Sequence, residues 1–132
     1  IGAVVALLLA ELHDAETLPL HLPMPRDRRL RTICSALLAA PGDGRTLEQW
    51  ADSGNASPRT LARLFVDETG LTFGAWRQQA RVLEAMGRLG SGAPVTDVAL
   101  DLGYDSVSAF SAMFRRGAGA SPRQYQHKPQ GG

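Results

Sequence analysis

The chain has 132 residues, a hydrophobic content of 44% and a formal net charge of +1. This length suits one compact domain with a short extension, and the hydrophobic content excludes a disordered chain. No apolar run approaches the ~20 residues that a membrane-spanning helix needs. The single cysteine excludes a disulfide framework and is compatible with a reducing compartment, so we expect a cytoplasmic protein.

Charge is divided unevenly along the sequence. Residues 1–25 carry three acids and no Lys or Arg, whereas residues 26–132 carry all 14 basic residues and 10 acids. Thirteen of the 14 basic residues are arginine, which suits bidentate contact with phosphate or guanine. A basic body is compatible with a nucleic-acid-binding surface, and equally with ordinary solvated charge or a GC-rich genome.

The first 25 residues differ from the rest. Apolar residues at spacings of three and four predict a helix over residues 1–16, and three prolines then predict an extended linker up to residue 25. A helix this short and apolar needs a partner, which is the body of the chain, another subunit or an absent domain. Because the sequence starts at Ile1 rather than Met, we expect residues 1–25 to be left from a preceding domain and residues 26–132 to form the domain proper.

Residues 26–132 show short helical patterns separated by tight turns, without a convincing strand pattern. Asp27 is a predicted N-cap, Thr46 and Gln49 have capping-box spacing, and Ser57 precedes Pro58 as a capping serine would. We expect an all-α fold of about seven helices: one from Asp27 to the turn at Pro41, then residues 46–53, 57–67, 73–89, 95–102, 106–116 and 122–126.

An internal repeat is the most informative feature of the sequence. At an offset of 49 the matching pairs are Gly54 and Gly103, Ser57 and Ser106, Leu61 and Phe110, Phe65 and Phe114, and Gly70 and Gly119; at an offset of 48 they are Leu47 and Val95, Trp50 and Val98, and Ala51 and Ala99. Each copy runs from a helix through a glycine turn to a capped second helix, which is typical of a helix-turn-helix unit. A plain bundle of two helical hairpins is the alternative.

The helix over residues 73–89 is predicted to connect the two units. We expect Trp76, Ala80, Leu83 and either Met86 or Gly87 to face the core. About 17 residues at ~1.5 Å each give about 25 Å, which with the flanking turns approaches the ~34 Å of one duplex turn. One chain would then present its recognition helices, residues 57–67 and 106–116, to successive major grooves of an asymmetric site.

Ordered motifs over roughly residues 28–126 resemble the C-terminal DNA-binding domain of the AraC/XylS family. The matching residues are 57–65 (SPRTLARLF), 68–70 (ETG), 81–85 (RVLEA), 98–106 (VALDLGYDS), 108–110, 114–115, 119, 121–122 and 125. The resemblance implies a bacterial transcription regulator, commonly an activator that contacts RNA polymerase. It also implies an N-terminal cupin-like sensor domain that binds a small-molecule effector and often forms a homodimer. Residues 22–27 (LPMPRD) are similar to the subgroup that includes regulators of drug-efflux genes.

The outward faces of the two recognition helices supply the candidate DNA contacts. We expect base contacts from Arg59, Thr60, Arg63, Val107, Ser108 and Ala112, and phosphate contacts from Ser57, Ser106, Ser111, Arg115 and Arg116. The two arginines of the first helix can each bind guanine, and positions of this kind contact bases in the family that the chain resembles. Val107 and Ala112 suit thymine methyl groups, and Ala112 replaces the arginine of the first copy. The first unit is therefore predicted to supply most discrimination and the second most affinity, although both arginines could instead bind only phosphate.

Other conspicuous residues are expected to have structural roles. Arg81 is predicted to form an ion pair with Glu68 or Glu84, and Trp50 and Trp76 are predicted to pack in the core. The histidines lack metal-ligand spacing, and we expect no metal or cofactor. Cys34 as the nucleophile of an alkyl-accepting enzyme is the weakest alternative, since no His or clustered cysteine is near it in sequence. A non-enzymatic helical protein–protein interaction module is the stronger one.

Overall fold

The structure, a computed structural model, describes residues 21–52 and 56–126. Within these ranges the only regular secondary structure is α-helix. The helices are α1 (Arg28–Ala39), α2 (Leu47–Asp52), α3 (Pro58–Thr69), α4 (Phe73–Gly90), α5 (Val95–Asp101), α6 (Val107–Ala118) and α7 (Pro122–Gln126). The all-α prediction is confirmed, and each helix predicted within this part of the chain is present. The predicted helix over residues 1–16 and the turn at Gly54 lie outside the described residues. None of the described helices is long and apolar enough to cross a membrane.

Side-chain caps fix several helix starts where the sequence predicts them. The Asp27 carboxylate accepts a hydrogen bond from the backbone N–H of Arg29, which opens α1. Thr46 and Gln49 form a reciprocal capping box, with bonds of 3.1 Å to the Gln49 N–H and 2.8 Å from the Thr46 N–H. Because these bonds satisfy amides that lack a partner inside the helix, short helices such as α2 begin at defined residues.

Two hydrophobic cores lie on either side of the connecting helix α4. The first joins α1, α2, α3 and the start of α4; the second joins the rest of α4 to α5, α6 and α7. In α4 the first core takes Phe73, Trp76 and Ala80, whereas the second takes Val82, Ala85 and Leu89. At about 100° of rotation per residue these two sets point about half a turn apart. The two helix-turn-helix units therefore pack against opposite faces of one helix.

This arrangement corrects the predicted core face of α4. Trp76 and Ala80 are buried as expected, but Leu83 is only partly buried and Gly87 is exposed. Met86 is partly buried and packs against the second core. The sequence interpretation assumed one continuous stripe, whereas the buried face changes side between Ala80 and Val82.

Arg81 is structural, but its predicted ion pair with Glu68 or Glu84 is wrong. Its Nε donates to the carbonyl oxygen of Pro41 at 2.7 Å and its Nη2 to that of Asp43 at 3.1 Å. Glu68 instead accepts from the backbone N–H groups of Arg26 and Asp27, at 2.7 and 2.9 Å. The acceptors of Arg81 are backbone carbonyls, which carry no signature in the sequence.

The end of the predicted linker packs against the body of the chain. The Trp76 indole N–H donates to the carbonyl oxygen of Pro23 at 2.9 Å, and the Gln79 amide donates to that of His21 at 3.0 Å. Pro25 is buried. A domain boundary at residue 25 stays a prediction, but residues 21–25 are held by α4.

Candidate nucleic-acid interface

The two predicted recognition helices, α3 and α6, are built alike. Each has 12 residues, and their bounds differ by the 49 residues of the repeat. The Ser57 hydroxyl accepts from the Thr60 N–H at 3.1 Å, and the Ser106 hydroxyl accepts from the Ala109 N–H at 3.1 Å. Both serines are therefore N-caps, as the sequence predicts, and both are exposed. A capped helix start of this kind favours a nearby anion such as a phosphate.

The two helices also end and anchor in the same way. Gly70 and Gly119 have φ values of 79° and 80°, and their N–H groups donate to Val66 and Arg115 at 2.9 Å. Glycine suits these positions because a Cβ is unfavourable in the left-handed conformation. The paired anchors Leu61, Phe110, Phe65 and Phe114 are all buried. Equivalent positions of α3 and α6 therefore face away from the core of their own unit.

The outward face of α3 carries two exposed arginines. Arg59 and Arg63 are exposed and lie four residues apart, and neither forms an ion pair within residues 21–52 and 56–126. Thr60 is only partly exposed, and its hydroxyl oxygen accepts from Ser57 at 3.0 Å. The two arginines are thus the side chains of this face best placed to reach a ligand.

The outward face of α6 is small and uncharged in its first two turns. Val107 is 39% exposed, and Ser108 and Ala112 are exposed at the positions equivalent to Pro58, Arg59 and Arg63. Ser111 is partly buried. Charge returns only in the last turn, where Arg115 and Arg116 are exposed. The two faces therefore differ in the charge that they expose, while the division of discrimination and affinity between them stays a prediction.

Five other arginines are already occupied. Arg29, Arg45 and Arg88 form ion pairs with Asp27, Asp43 and Asp101 at 2.8, 2.7 and 2.6 Å. Arg77 and Arg81 donate to backbone carbonyls of the loop between α1 and α2. Burial lowers the pKa of Arg77. These five side chains stabilise the fold through contacts within the chain. In this they differ from the exposed arginines of α3 and α6.

Sequence reasoning missed two arginine features. Arg45 lies 3.7 Å above the Trp50 ring, and a signal for its fixed position was the aspartate two residues earlier. Arg26, Arg28 and Arg31 line an open depression of about 620 Å³. The bond between Arg26 and Glu68 places this depression near the C-terminal end of α3. It therefore lies away from the capped start of that helix.

Cys34 does not have the properties of a catalytic nucleophile. Its side chain is fully buried in the first core, and burial raises the pKa of its thiol to about 12. The reactive thiolate is therefore disfavoured at neutral pH. In the described part of the chain no group of three or more His, Cys, Asp or Glu side chains is placed to hold a metal ion.

Comparison with known proteins assigns the fold to a family. The family described as a helix-turn-helix domain matches residues 50–128. The transcriptional regulator NimR of Escherichia coli K12 is 40% identical over 121 residues, which are 92% of this chain and 44% of NimR. The chain belongs to the AraC family of transcription regulators. The activator RhaR of the same strain is a more distant AraC-family relative, 28% identical over 127 residues.

Solved structures agree with this assignment to the AraC family. The C-terminal domain of AraT from Geobacillus stearothermophilus matches with a TM-score of 0.72 and 28% identity, over 78% of this chain and 87% of that one. The DNA-binding domain of AdpA, solved in complex with a target DNA, matches with a TM-score of 0.70 and 31% identity. That match covers 80% of this chain and all of the AdpA chain. The chain spans less than half the length of the curated relatives named above.

Proposed function

We propose that this chain is the DNA-binding unit of a bacterial transcription regulator that places α3 and α6 in successive major grooves of an asymmetric site. The observation that carries the proposal is the pair of equivalent capped helices, whose outward faces are exposed and differ in chemistry. α4 has 18 residues, or about 27 Å at ~1.5 Å per residue, which with its turns approaches one duplex turn. The likeness to the DNA-bound AdpA domain supports the same role.

The side chains on their outward faces suggest how the two recognition helices, here called the two readers, divide sequence discrimination and binding affinity between them. Arg59 and Arg63 would contact guanine edges, with Thr60 beside them, because arginine reads guanine N7 and O6 bidentately. On α6, Val107 and Ala112 would contact thymine methyl groups and Ser108 a base edge. The phosphate contacts would come from the capping serines 57 and 106, from Ser111, and from Arg115 and Arg116. The first reader would then carry most discrimination and the second most affinity.

Selection of bound sequences from a random DNA pool tests the proposal directly. We expect two unlike elements about one helical turn apart, with guanine required in the element that α3 contacts. Affinity for the selected site is expected to fall steeply with salt, because phosphate contacts release counterions. A pool that yields no enriched sequence would contradict the proposal and favour a protein-interaction module.

The role of the whole protein is a wider proposal. RhaR is described as a transcriptional activator, and we infer activation through contacts with RNA polymerase for this chain as well. The further length of NimR and RhaR fits a sensor domain that binds a small-molecule effector and forms a homodimer. Such a regulator would work in the cytoplasm on nucleoid DNA. In vitro transcription from the selected site, with and without the chain, tests activation.

A further inference from the structure

The two helix-turn-helix units touch each other backbone to backbone. The loop between α1 and α2 belongs to the first unit, and the turn between α5 and α6 belongs to the second. A methyl group on Gly42 would collide with the carbonyl oxygen of Asp101, and one on Gly103 would lie 2.9 Å from the carbonyl oxygen of Gly42. This contact, between residues 41–43 and residues 101–103, is called the inter-unit joint below.

Arg81 of the connecting helix fastens the joint. It donates two charged hydrogen bonds to the carbonyl oxygens of Pro41 and Asp43, and such bonds are stronger than neutral ones. Its guanidinium also lies 5.5 Å from the centroid of the Tyr104 ring, next to Gly103. One side chain thus ties α4 to a loop of each unit. Arg77 adds a 2.6 Å bond to the carbonyl oxygen of Arg45 in the same loop.

The glycine at position 42 is required for space rather than for backbone conformation. Its φ lies outside the left-handed region that favours glycine, and its neighbours are backbone atoms that cannot move aside cheaply. Gly44, two residues later in the same loop, would place a methyl group in open space. The loop therefore contains a matched pair of positions, one in the joint and one outside it.

We propose that the inter-unit joint fixes the orientation of α3 relative to α6 and thereby sets the spacer length accepted between the two elements of the DNA site. The inference rests on the proposed function. Each unit packs against its own face of α4 through a separate hydrophobic core, and side-chain packing of this kind still leaves the units some freedom to rotate relative to each other. The joint is a second connection between the same units, so it closes a ring and removes that freedom.

Spacer length is a sensitive measure of this rigidity. One added base pair rotates the second element by about 34° and moves it by about 3.4 Å relative to the first. A rigid pair of readers cannot follow both changes and loses the contacts of one unit. A loosened pair follows them and binds the altered site with less loss.

The DNA experiment measures affinity for the selected site with its spacer shortened, unchanged and lengthened by one base pair. For the wild type we expect about tenfold weaker binding or more at either altered spacer, similar to a mismatch in the site. Gly42→Ala is expected to reduce that ratio to about threefold or less, whereas Gly44→Ala is expected to retain it. Arg81→Lys keeps the charge but loses the two-point bond, and serves as the second variant if Gly42→Ala does not fold.

A measurement without DNA separates the joint from the proposed function. Spin labels on Ala62→Cys and Ala109→Cys, two exposed positions of α3 and α6, report the distance between the helices, while the buried Cys34 escapes labelling. We expect one narrow distance distribution for the wild type and for Gly44→Ala, and a broader or shifted one for Gly42→Ala and Arg81→Lys.

The outcomes are distinct. Unchanged distances in folded Gly42→Ala and Arg81→Lys overturn the joint, whether or not DNA is bound. Changed distances with an unchanged spacer preference overturn its role in setting the site. If no DNA is selected at all, the proposed function and the role in spacing both fail, and the distances still decide whether the joint holds the units.

Discussion

At the scale of single residues, the role of an arginine depends on what its guanidinium already binds. Arg88 is held by Asp101 at 2.6 Å, and Arg81 is held by two carbonyl oxygens. Moving either onto DNA would first break these bonds. Arg59 and Arg63 form no ion pair with any residue of 21–52 and 56–126, so no such pair within these ranges opposes contact with DNA. The same chemical group is thus structural in one place and available in the other.

The difference between the two recognition faces predicts unequal effects of substitution on sequence discrimination. Arg63→Ala is expected to lose roughly 1–3 kcal/mol of discrimination at one base pair, because a bidentate contact to guanine disappears. Ser108→Ala is expected to change discrimination less than about threefold, because a hydroxyl contacts bases without strong preference. Binding to a panel of single-base variants of the selected site measures both. Arg123→Ala, which removes an exposed charge from α7, is the control. A greater loss of discrimination with Ser108→Ala would contradict the assignment.

Burial of Cys34 predicts both low reactivity and a pH effect. Burial raises the pKa of its thiol to about 12, so the native protein is expected to resist thiol reagents at pH 8 and to react once urea unfolds it. The unfolded thiol ionises near its ordinary pKa of about 8.5. Above that pH the unfolded state loses its proton first, so stability falls as pH rises from about 8.5 toward 12. Urea unfolding between pH 8 and 10 measures this slope. Cys34→Ala should lose the contribution, and native reactivity matching that of the unfolded chain would refute the burial.

At the scale of helices, the ends were predictable and the packing faces only partly so. Capping residues such as Asp27 and Ser57 act on amides within three residues, so local sequence determines where these helices begin. The face of α4 depends on elements far along the chain. Its second half packs against α6 and α7. The single apolar stripe assumed from the sequence predicted that Leu83 faces the core, whereas Val82 and Ala85 are the buried residues there. Exposure of Arg59 and Arg63 was predictable because it follows from the local period of α3.

Substitution of two glycines that have space for a side chain tests whether backbone conformation alone decides their contribution to stability. A methyl group at Gly70 or at Gly87 would meet no other atom within 4 Å, but Gly70 has a φ of 79° and Gly87 lies inside α4. Gly70→Ala is expected to cost about 1–2 kcal/mol, the price of the left-handed conformation for an L-residue. Gly87→Ala is expected to stabilise the protein by about 0.5–1 kcal/mol, because alanine loses less entropy in a helix. Urea unfolding measures both, and changes of the same sign would be evidence against this explanation.

At the scale of the whole molecule, the length of the connecting helix was predictable but the packing that orients the two units was not. The length of α4 follows from the helical rise and the predicted bounds, which the structure extends by one residue to Gly90. Orientation depends on the half-turn between its two buried faces and on the contact of Gly42 with the turn at Gly103. No pattern of residue types in the sequence predicts a contact between backbone atoms of distant residues. The glycines were visible in the sequence, but their partners were not.

The charge distribution of the molecule predicts how binding responds to salt. Arg115 and Arg116 are exposed in the last turn of α6 and are assigned to phosphates, so each should release about 0.9 of a counterion on binding. Replacing both with alanine is expected to lower the slope of log K against log salt concentration by about 1.8, with the ranking of single-base variants unchanged. Titrations between roughly 50 and 200 mM salt provide the measurement. Arg123→Ala should leave the slope as it is. A double variant that keeps the wild-type slope, or that changes the order of the base preferences, would contradict the assignment of these arginines to phosphates.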